Sequence, residues 1–304
     1  MSAVASQIGL TTNRAPFIEQ ARAHGDIFIR QPYELYSVEN QDTWRRLYDR
    51  IRPRWETFAN TKFLEGVHKL ALDPAAIPRL DDVNRFLSPL SGFAAKAVSG
   101  YVPAYLFFDC LRTRAFPTTI TIRDGSHLDY LPEPDIFHDI AGHVPMHTDR
   151  AFADVLVRFG EFAREAAFHV QGIRDEHERL LRMESILRAL ARFFWFTIEF
   201  GLMRQDNEIR VYGSGLLSSY GEIEHAITSP LVQRYPIRLE WVINQAFEID
   251  HYQPLLFVVE SFSHLFDLIH ELERWMKDGR LDNVAPGEPA VNEQDLKSFL
   301  EAGK

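Results

Sequence analysis

Cysteine is nearly absent from this chain: Cys110 is the only one among 304 residues. A single thiol cannot close an internal disulfide or build a thiolate-rich zinc site, and it fits a reducing, cytoplasmic setting. On its own, Cys110 reads as a small buried residue. Basic charge is also scarce. The 33 Lys and Arg stand against 43 Asp and Glu, for a formal net charge of -10. Phosphate backbones and anionic membrane faces need a concentrated basic surface, so neither nucleic acid nor a membrane is an expected partner. Long hydrophobic runs are missing too. The most apolar region, near residues 189–203, carries Arg192 and Glu199 and is too short and too charged to span a bilayer. The opening MSAVASQIGLTTNRAPFIEQ lacks the basic segment and apolar stretch of a secretory signal. There is no internal repeat and no low-complexity linker.

What is there is mostly helical spacing. In DTWRRLYDRIRPRWETFA, Trp44, Leu47, Tyr48 and Ile51 fall at i, i+3, i+4 and i+7, with Pro53 expected to kink or end the helix. TKFLEGVHKLAL, LDDVNRFLSPL and AYLFFDCLRTR predict three more helices. Further helices are expected at about 134–142, 149–170, 176–203, 218–227 and 260–278. TTITIRDG alternates β-branched residues before a turn glycine and predicts a short strand, and EIRVYG predicts another. Asp282 to Pro289 is turn-rich, with a last short helix expected after it. The fold class is mainly α with minor β, in one domain, since no boundary divides the chain into two cores. Residues 1–32 read as a loosely ordered arm.

The segment PEPDIFHDIAGHVP holds two histidines five residues apart. On a straight α-helix five residues turn roughly 500°, leaving His138 and His143 roughly 140° apart around the axis. They meet most easily where the helix ends or is distorted. Gly142 permits a distortion, and Pro145 should block continuation. The spacing therefore suits two ligands approaching one ion from adjacent directions. His143 and His147 have the four-residue spacing of H-E-x-x-H, but no glutamate lies between them, and His147 reads as a surface residue. A third ligand type, Glu199, lies in the apolar run ARFFWFTIEFGLM. A lone buried carboxylate is costly unless paired or metal-bound, so Glu199 is expected either to pair with Arg192 or to join the histidines. Two imidazoles and a carboxylate form the facial triad of non-haem Fe(II), and zinc can use the same ligand types.

Read together, DYLPEPDIFHDIAGHVP, WFTIEFGL and YGSGLLSSYGE resemble the pterin-dependent aromatic amino acid hydroxylases, most closely the short bacterial phenylalanine 4-hydroxylases. The resemblance runs from about Tyr33 to about Phe266. It implies that residues 33–280 form the catalytic domain of that type, flanked by the arm 1–32 and a C-terminal tail 281–304. It assigns the metal, and with it catalysis, to His138, His143 and Glu199. It puts Arg123 on the amino acid carboxylate, with Asp135 orienting that arginine, and Ser218 on the substrate's polar end. A planar guanidinium suits such a carboxylate grip. Ser219 and Glu222, by contrast, fit an S-x-x-E capping box. Tyr130, Pro134, Trp195 and Phe200 are implied at the aromatic substrate pocket, with Glu222 nearby. Phe107 (or its neighbour Phe108) is implied against the pterin ring, and Asp139 near that cofactor. Leu131 and Asp139 stand where the animal enzymes carry a hydroxyl residue and a glutamate, as in the bacterial branch.

The implied activity is a non-haem iron monooxygenase reaction: ring hydroxylation of L-phenylalanine to L-tyrosine, with Fe(II), a tetrahydropterin cosubstrate and O2. The animal enzymes' regulatory domain and long tetramerisation helix have no counterpart here, and a monomer is expected. Alternatives are phenylalanine 3-hydroxylation or tryptophan hydroxylation within the same family. Outside it, they are a zinc hydrolase with Asp139 as base, or a binding protein that keeps the fold without the reaction.

Overall fold

The computed structural model describes residues 10–11, 18, 21, 23–100, 102–129, 134–287 and 297. Tyr130 and, residue 297 apart, the last helix expected in the tail lie outside that set. The first long helix, α1 (Val38–Phe58), begins four residues before the expected Asp42. Ser37 and Asn40 form a reciprocal capping box there, each side chain accepting from the other's backbone amide. Pro53 does not end α1. A proline inside a helix costs ~3 kcal/mol, but Trp44, Leu47, Tyr48, Ile51 and Trp55 are all buried on one face and hold both sides of it in register. Trp55 Nε1 also donates to Leu217 O at 2.7 Å, pinning the end of α1 to the loop that carries Ser218.

Helices α2 (Thr61–Leu70), α3 (Leu80–Ser91) and α4 (Ala104–Arg112) follow, with β1 (Ala94–Val98) before α4 and β2 (Ala115–Thr119) after it. β1 and β2 pair in parallel. The predicted TTITIRDG strand is thus displaced upstream: pairing runs over AFPTT and stops at Thr119, and Arg123 follows in irregular backbone ahead of the turn at Gly125. Then comes a π-helical turn (Phe137–His143), which passes directly into α5 (Val144–His147). Pro145 therefore does not stop the helix. It falls at the start of a new α segment, where no amide hydrogen is required.

Helices α6 (Arg150–Val170) and α7 (Glu176–Phe194) form the largest layer. The expected helix to residue 203 breaks early, because a second π-helical turn (Trp195–Glu199) leads into β3 (Leu202–Gln205). β3 pairs antiparallel with β4 (Glu208–Val211), as EIRVYG predicts. The two-residue turn between them has Asp206 and Asn207 at φ 52° and 67°, the pair of positive φ values that a tight hairpin takes. After α8 (Ser214–Leu217), α9 (Tyr220–Thr228), β5 (Gln233–Pro236) and α10 (Leu239–Val242), β6 (Leu255–Val259) completes a sheet of order β4-β3-β6-β5. α11 (Phe262–Lys277) follows. β1, β3, β5 and β6 have no clear alternation in the sequence. Segments of four or five residues such as QRYP hold too few side chains for a period of two to register.

The core is contiguous and extends past the expected domain limits. Leu10 and Ile18 of the arm are buried in it, and residues Ile27 and Ile29 exchange backbone hydrogen bonds with β1 and its continuation. At the other end Leu281 and Val284 are buried against α7, where Ser185 bonds both Leu281 O and Val284 N. Among the described residues no helix is long and apolar enough to cross a membrane.

Candidate functional site

The π-helical turn resolves the five-residue histidine spacing. Its hydrogen bonds run i to i+5, so residues five apart come back to one side of the axis. His138 Nε2 and His143 Nε2 lie 3.1 Å apart. The second π-helical turn ends on Glu199, closed by the Phe200 amide donating to Trp195 O at 2.9 Å. Glu199 Oε1 is 3.2 Å from His143 Nε2, and Oε2 is 3.6 Å from His138 Nε2. Arg192, the alternative partner for Glu199, points elsewhere: its guanidinium donates to Ile243 O, Ala285 O and Pro286 O.

Two of the three donors are oriented from behind. With its proton on Nδ1, His138 donates to Ser218 Oγ at 2.8 Å, and Ser218 Oγ donates onward to Gly215 O at 3.3 Å, which leaves Nε2 a lone pair. Ser214 Oγ donates to Glu199 Oε2 at 2.9 Å. Gly142 lies where a Cβ would come within 2.9 Å of Ser214 O, so the chain around both ligand sources is packed tightly. Burial and then His143 hold His138 down to about 4, so it is neutral. Burial alone would raise Glu199, but the two histidines and Ser214 keep it down to about 2, so it is ionised.

One proton can satisfy any pair of these atoms but not all three. A divalent cation can. With ligand bonds of about 2.1 Å, neighbouring octahedral positions are roughly 3.0 Å apart, close to the separations found here. The donor set therefore fits a metal ion. Asp139 also offers a carboxylate oxygen near His138 and His143. It is the weaker third ligand. Its Oδ2 accepts the Thr119 amide at 2.6 Å, and burial, against the pull of His143, raises it to about 7. Glu199 is charged and approaches both ring nitrogens.

Above these atoms opens a cavity of about 970 Å³. His138 and Glu199 form part of its floor. Trp195 and Phe200 pack with ring centres 4.5 Å apart, tilted by 35°, on one side, and Phe247 stacks on Trp195 at 4.1 Å and 11°. Phe107, Pro134 and Ser218 also line it. Arg123 reaches the same space while Nε and Nη2 donate to Asp135 at 2.8 and 3.0 Å, leaving Nη1 uncommitted to that carboxylate. Burial pushes Asp135 upward, but the guanidinium and the amides of Arg123 and His138 outweigh it and hold it below the usual range.

The biopterin-dependent aromatic amino acid hydroxylase family model matches residues 18–279. Phenylalanine-4-hydroxylase of Caulobacter vibrioides is 36% identical over 288 residues, covering 92% of each chain. That of Chromobacterium violaceum is 36% identical over 242 residues, 80% of this chain and 76% of the other. A crystal structure of the Chromobacterium violaceum enzyme with iron(III) and 7,8-dihydrobiopterin superposes with a TM-score of 0.75 at 31% identity, over 91% of this chain and 97% of that one.

This chain belongs to the biopterin-dependent aromatic amino acid hydroxylases.

Within this hydroxylase, most of the expected residues line the cavity, and several need comment. Tyr130 lies outside the described residues. Asp139 does not line the cavity, and its carboxylate accepts the Thr119 amide instead. The hydroxyl of Ser218 is taken up by His138 and Gly215 O. The Ser219–Glu222 capping box does not form: Ser219 Oγ donates to Asp129 O at 3.3 Å, and Glu222 instead accepts the Gln253 amide.

His147 is fully buried, not on the surface. It packs among Phe93, Phe116 and Phe152, with neither ring nitrogen hydrogen-bonded, and burial holds its pKa well below the ordinary value. Pro145 starting α5 turns this side chain inward. Ser214, Gln253 and Phe247 were not singled out from the sequence. Ser214 sits inside the YGSGLLSSYGE motif, the one signal that could have found it.

Proposed function

We propose that this hydroxylase is a non-haem iron monooxygenase that converts L-phenylalanine to L-tyrosine, with tetrahydropterin and O2 as cosubstrates. The observation that carries this reading is the convergence of His138, His143 and Glu199 under an aromatic-walled cavity that also holds the Arg123–Asp135 pair. His138, His143 and Glu199 would hold Fe(II), whose ligand charge of one leaves it weakly positive with open positions. When bound, iron and pterin supply the redox chemistry: one O2 oxygen goes to the ring carbon, and the pterin provides the two electrons needed for the other.

The chain's own residues do the rest. Arg123 Nη1 binds the substrate carboxylate, and Asp135 fixes the plane of that guanidinium. Trp195, Phe200 and Pro134 hold the ring and exclude water, so the ring carbon nearest the metal is set by packing. Phe107, edge-on to Phe194 at 5.5 Å, offers a face to the pterin, and Asp139 supports that half of the site through His143. Residues 33–280 carry this whole constellation and form the catalytic unit between the arm and the tail. The single thiol and acidic surface suit a cytoplasmic monomer that engages neither nucleic acid nor membrane.

The test is direct. Purified, Fe(II)-loaded protein is given tetrahydropterin and phenylalanine with and without O2. Tyrosine should form only with O2. Turnover without oxygen would indicate hydrolysis instead, and 3-hydroxyphenylalanine, or product from tryptophan alone, would reassign the reaction within the family. Glu199→Ala should lose bound iron and turnover together.

A further inference from the structure

The cavity contains a second buried carboxyl group. Glu222, in the first turn of α9, is 1% exposed and lines the same space. Its Oε1 accepts the Gln253 amide at 2.8 Å, while Oε2 has no hydrogen-bond partner. A buried carboxyl oxygen left without a donor is costly, and such an atom in a ligand cavity points to a donor the ligand brings.

An α-amino acid brings one. Its carboxylate is provided for by Arg123, but its ammonium group carries three donors and needs an acceptor. Asp135 is committed to Arg123 and to the His138 amide. Ser218 Oγ is committed to His138 and Gly215 O. Glu199 faces the two histidines. Glu248 and Asp250 also reach the cavity, but they are exposed at its mouth, where water screens them. Glu222 follows Ser218 by four residues, across the break between α8 and α9, and lines the same cavity as Arg123 and Ser218. Ser218 in turn bonds His138, whose amide bonds Asp135, which holds Arg123.

Resting on the reading of this cavity as an amino acid site, we propose that Glu222 Oε2 receives the substrate's α-ammonium group. Arg123 and Glu222 then grip the two ends of the zwitterion, and the ring is left to the aromatic wall. Glu222 also has a structural link: Gln253 Oε1 accepts from Trp195 Nε1 at 3.2 Å, and its Nε2 donates to Glu248 O and His251 O. The test must separate the two roles.

Glu222→Gln retains a carbonyl oxygen for the Gln253 amide and removes only the charge. Binding of L-phenylalanine and of 3-phenylpropanoate, which has the ring and carboxylate but no ammonium, is measured by calorimetry on the Fe(II)-loaded full chain without oxygen. The wild type should bind phenylalanine at least tenfold more tightly than 3-phenylpropanoate. Glu222→Gln should weaken phenylalanine tenfold or more and leave 3-phenylpropanoate within twofold. Equal losses for both ligands would mean that Glu222 only supports Gln253, and unchanged phenylalanine binding would also overturn the proposal. Equal wild-type affinity for the two ligands overturns it without any variant. If the wild type binds neither, the amino acid site itself fails, and this inference with it.

Discussion

Asp135 accepts from Nε and Nη2 of Arg123 and from the backbone amides of Arg123 and His138. Both partners are nearly sealed from water, at 5% and 2% exposure. Removing one charge of such a pair strands the other, at a cost of ~3–5 kcal/mol. Asp135→Asn should therefore lower the denaturant midpoint and raise the KM for phenylalanine together, as chemical unfolding and initial-rate kinetics would record. Glu222 makes a pH prediction. Burial raises it from 4.5 to about 7, against the pull of the Gln253 amide and His251. Between those values the folded protein keeps a proton that the unfolded chain has released, so stability falls as pH rises through that window. Glu222→Gln has no such proton. Its melting temperature should match the wild type near pH 5 and exceed it near pH 8 in calorimetric scans of metal-free protein. At this scale the sequence was legible where residue type was itself unusual: histidines beside a helix breaker, a glutamate in an apolar run. It was silent on Ser214, Gln253 and the burial of His147, because an ordinary serine, glutamine or histidine acquires its role only from what the fold sets beside it.

Both expected ligand sources sit on π-helical turns, and this explains a spacing that a straight α-helix could not. Each turn is held by close backbone packing. Gly66 of α2 lies against the Pro145 carbonyl at the start of α5, so near that a Cβ would overlap it. Backbone on both sides leaves no side chain to swing away. Gly66→Ala should push α5 and His143 outward, costing about 1–3 kcal/mol and weakening Fe(II) binding. Thermal unfolding and metal titration would check both, and normal metal affinity would show that His143 is positioned independently of α2. Long helices were readable because α1 and α6 each repeat their apolar face over five turns or more. Boundaries were not. Pro53 was expected to kink or end its helix and Pro145 to block continuation; burial carried α1 through the first, and the second fell where a helix begins. The strand at Ala115–Thr119 was missed because its pairing partner, Ala94–Val98, is equally short and lies beyond a whole helix.

For the molecule as a whole, the proposed monomer is a statement about mass. Light scattering behind a sizing column should return a mass near 35.2 kDa, and a multiple of it would revise the monomer. The sequence implied a domain ending at residue 280, yet the core continues to Val284, and Arg192 is buried with its guanidinium donating, among the described residues, to the carbonyls of Ile243, Ala285 and Pro286. Arg192 lies in the last turn of α7, immediately before the turn that carries Trp195 and Glu199. A protein shortened to residue 280 would retain every group assigned to the substrate but lose two of those three carbonyls, and should melt earlier and hold iron less firmly. Residues 281–287 thus work as a latch: none of them is a ligand, yet the aim of the acidic ligand depends on their being fastened.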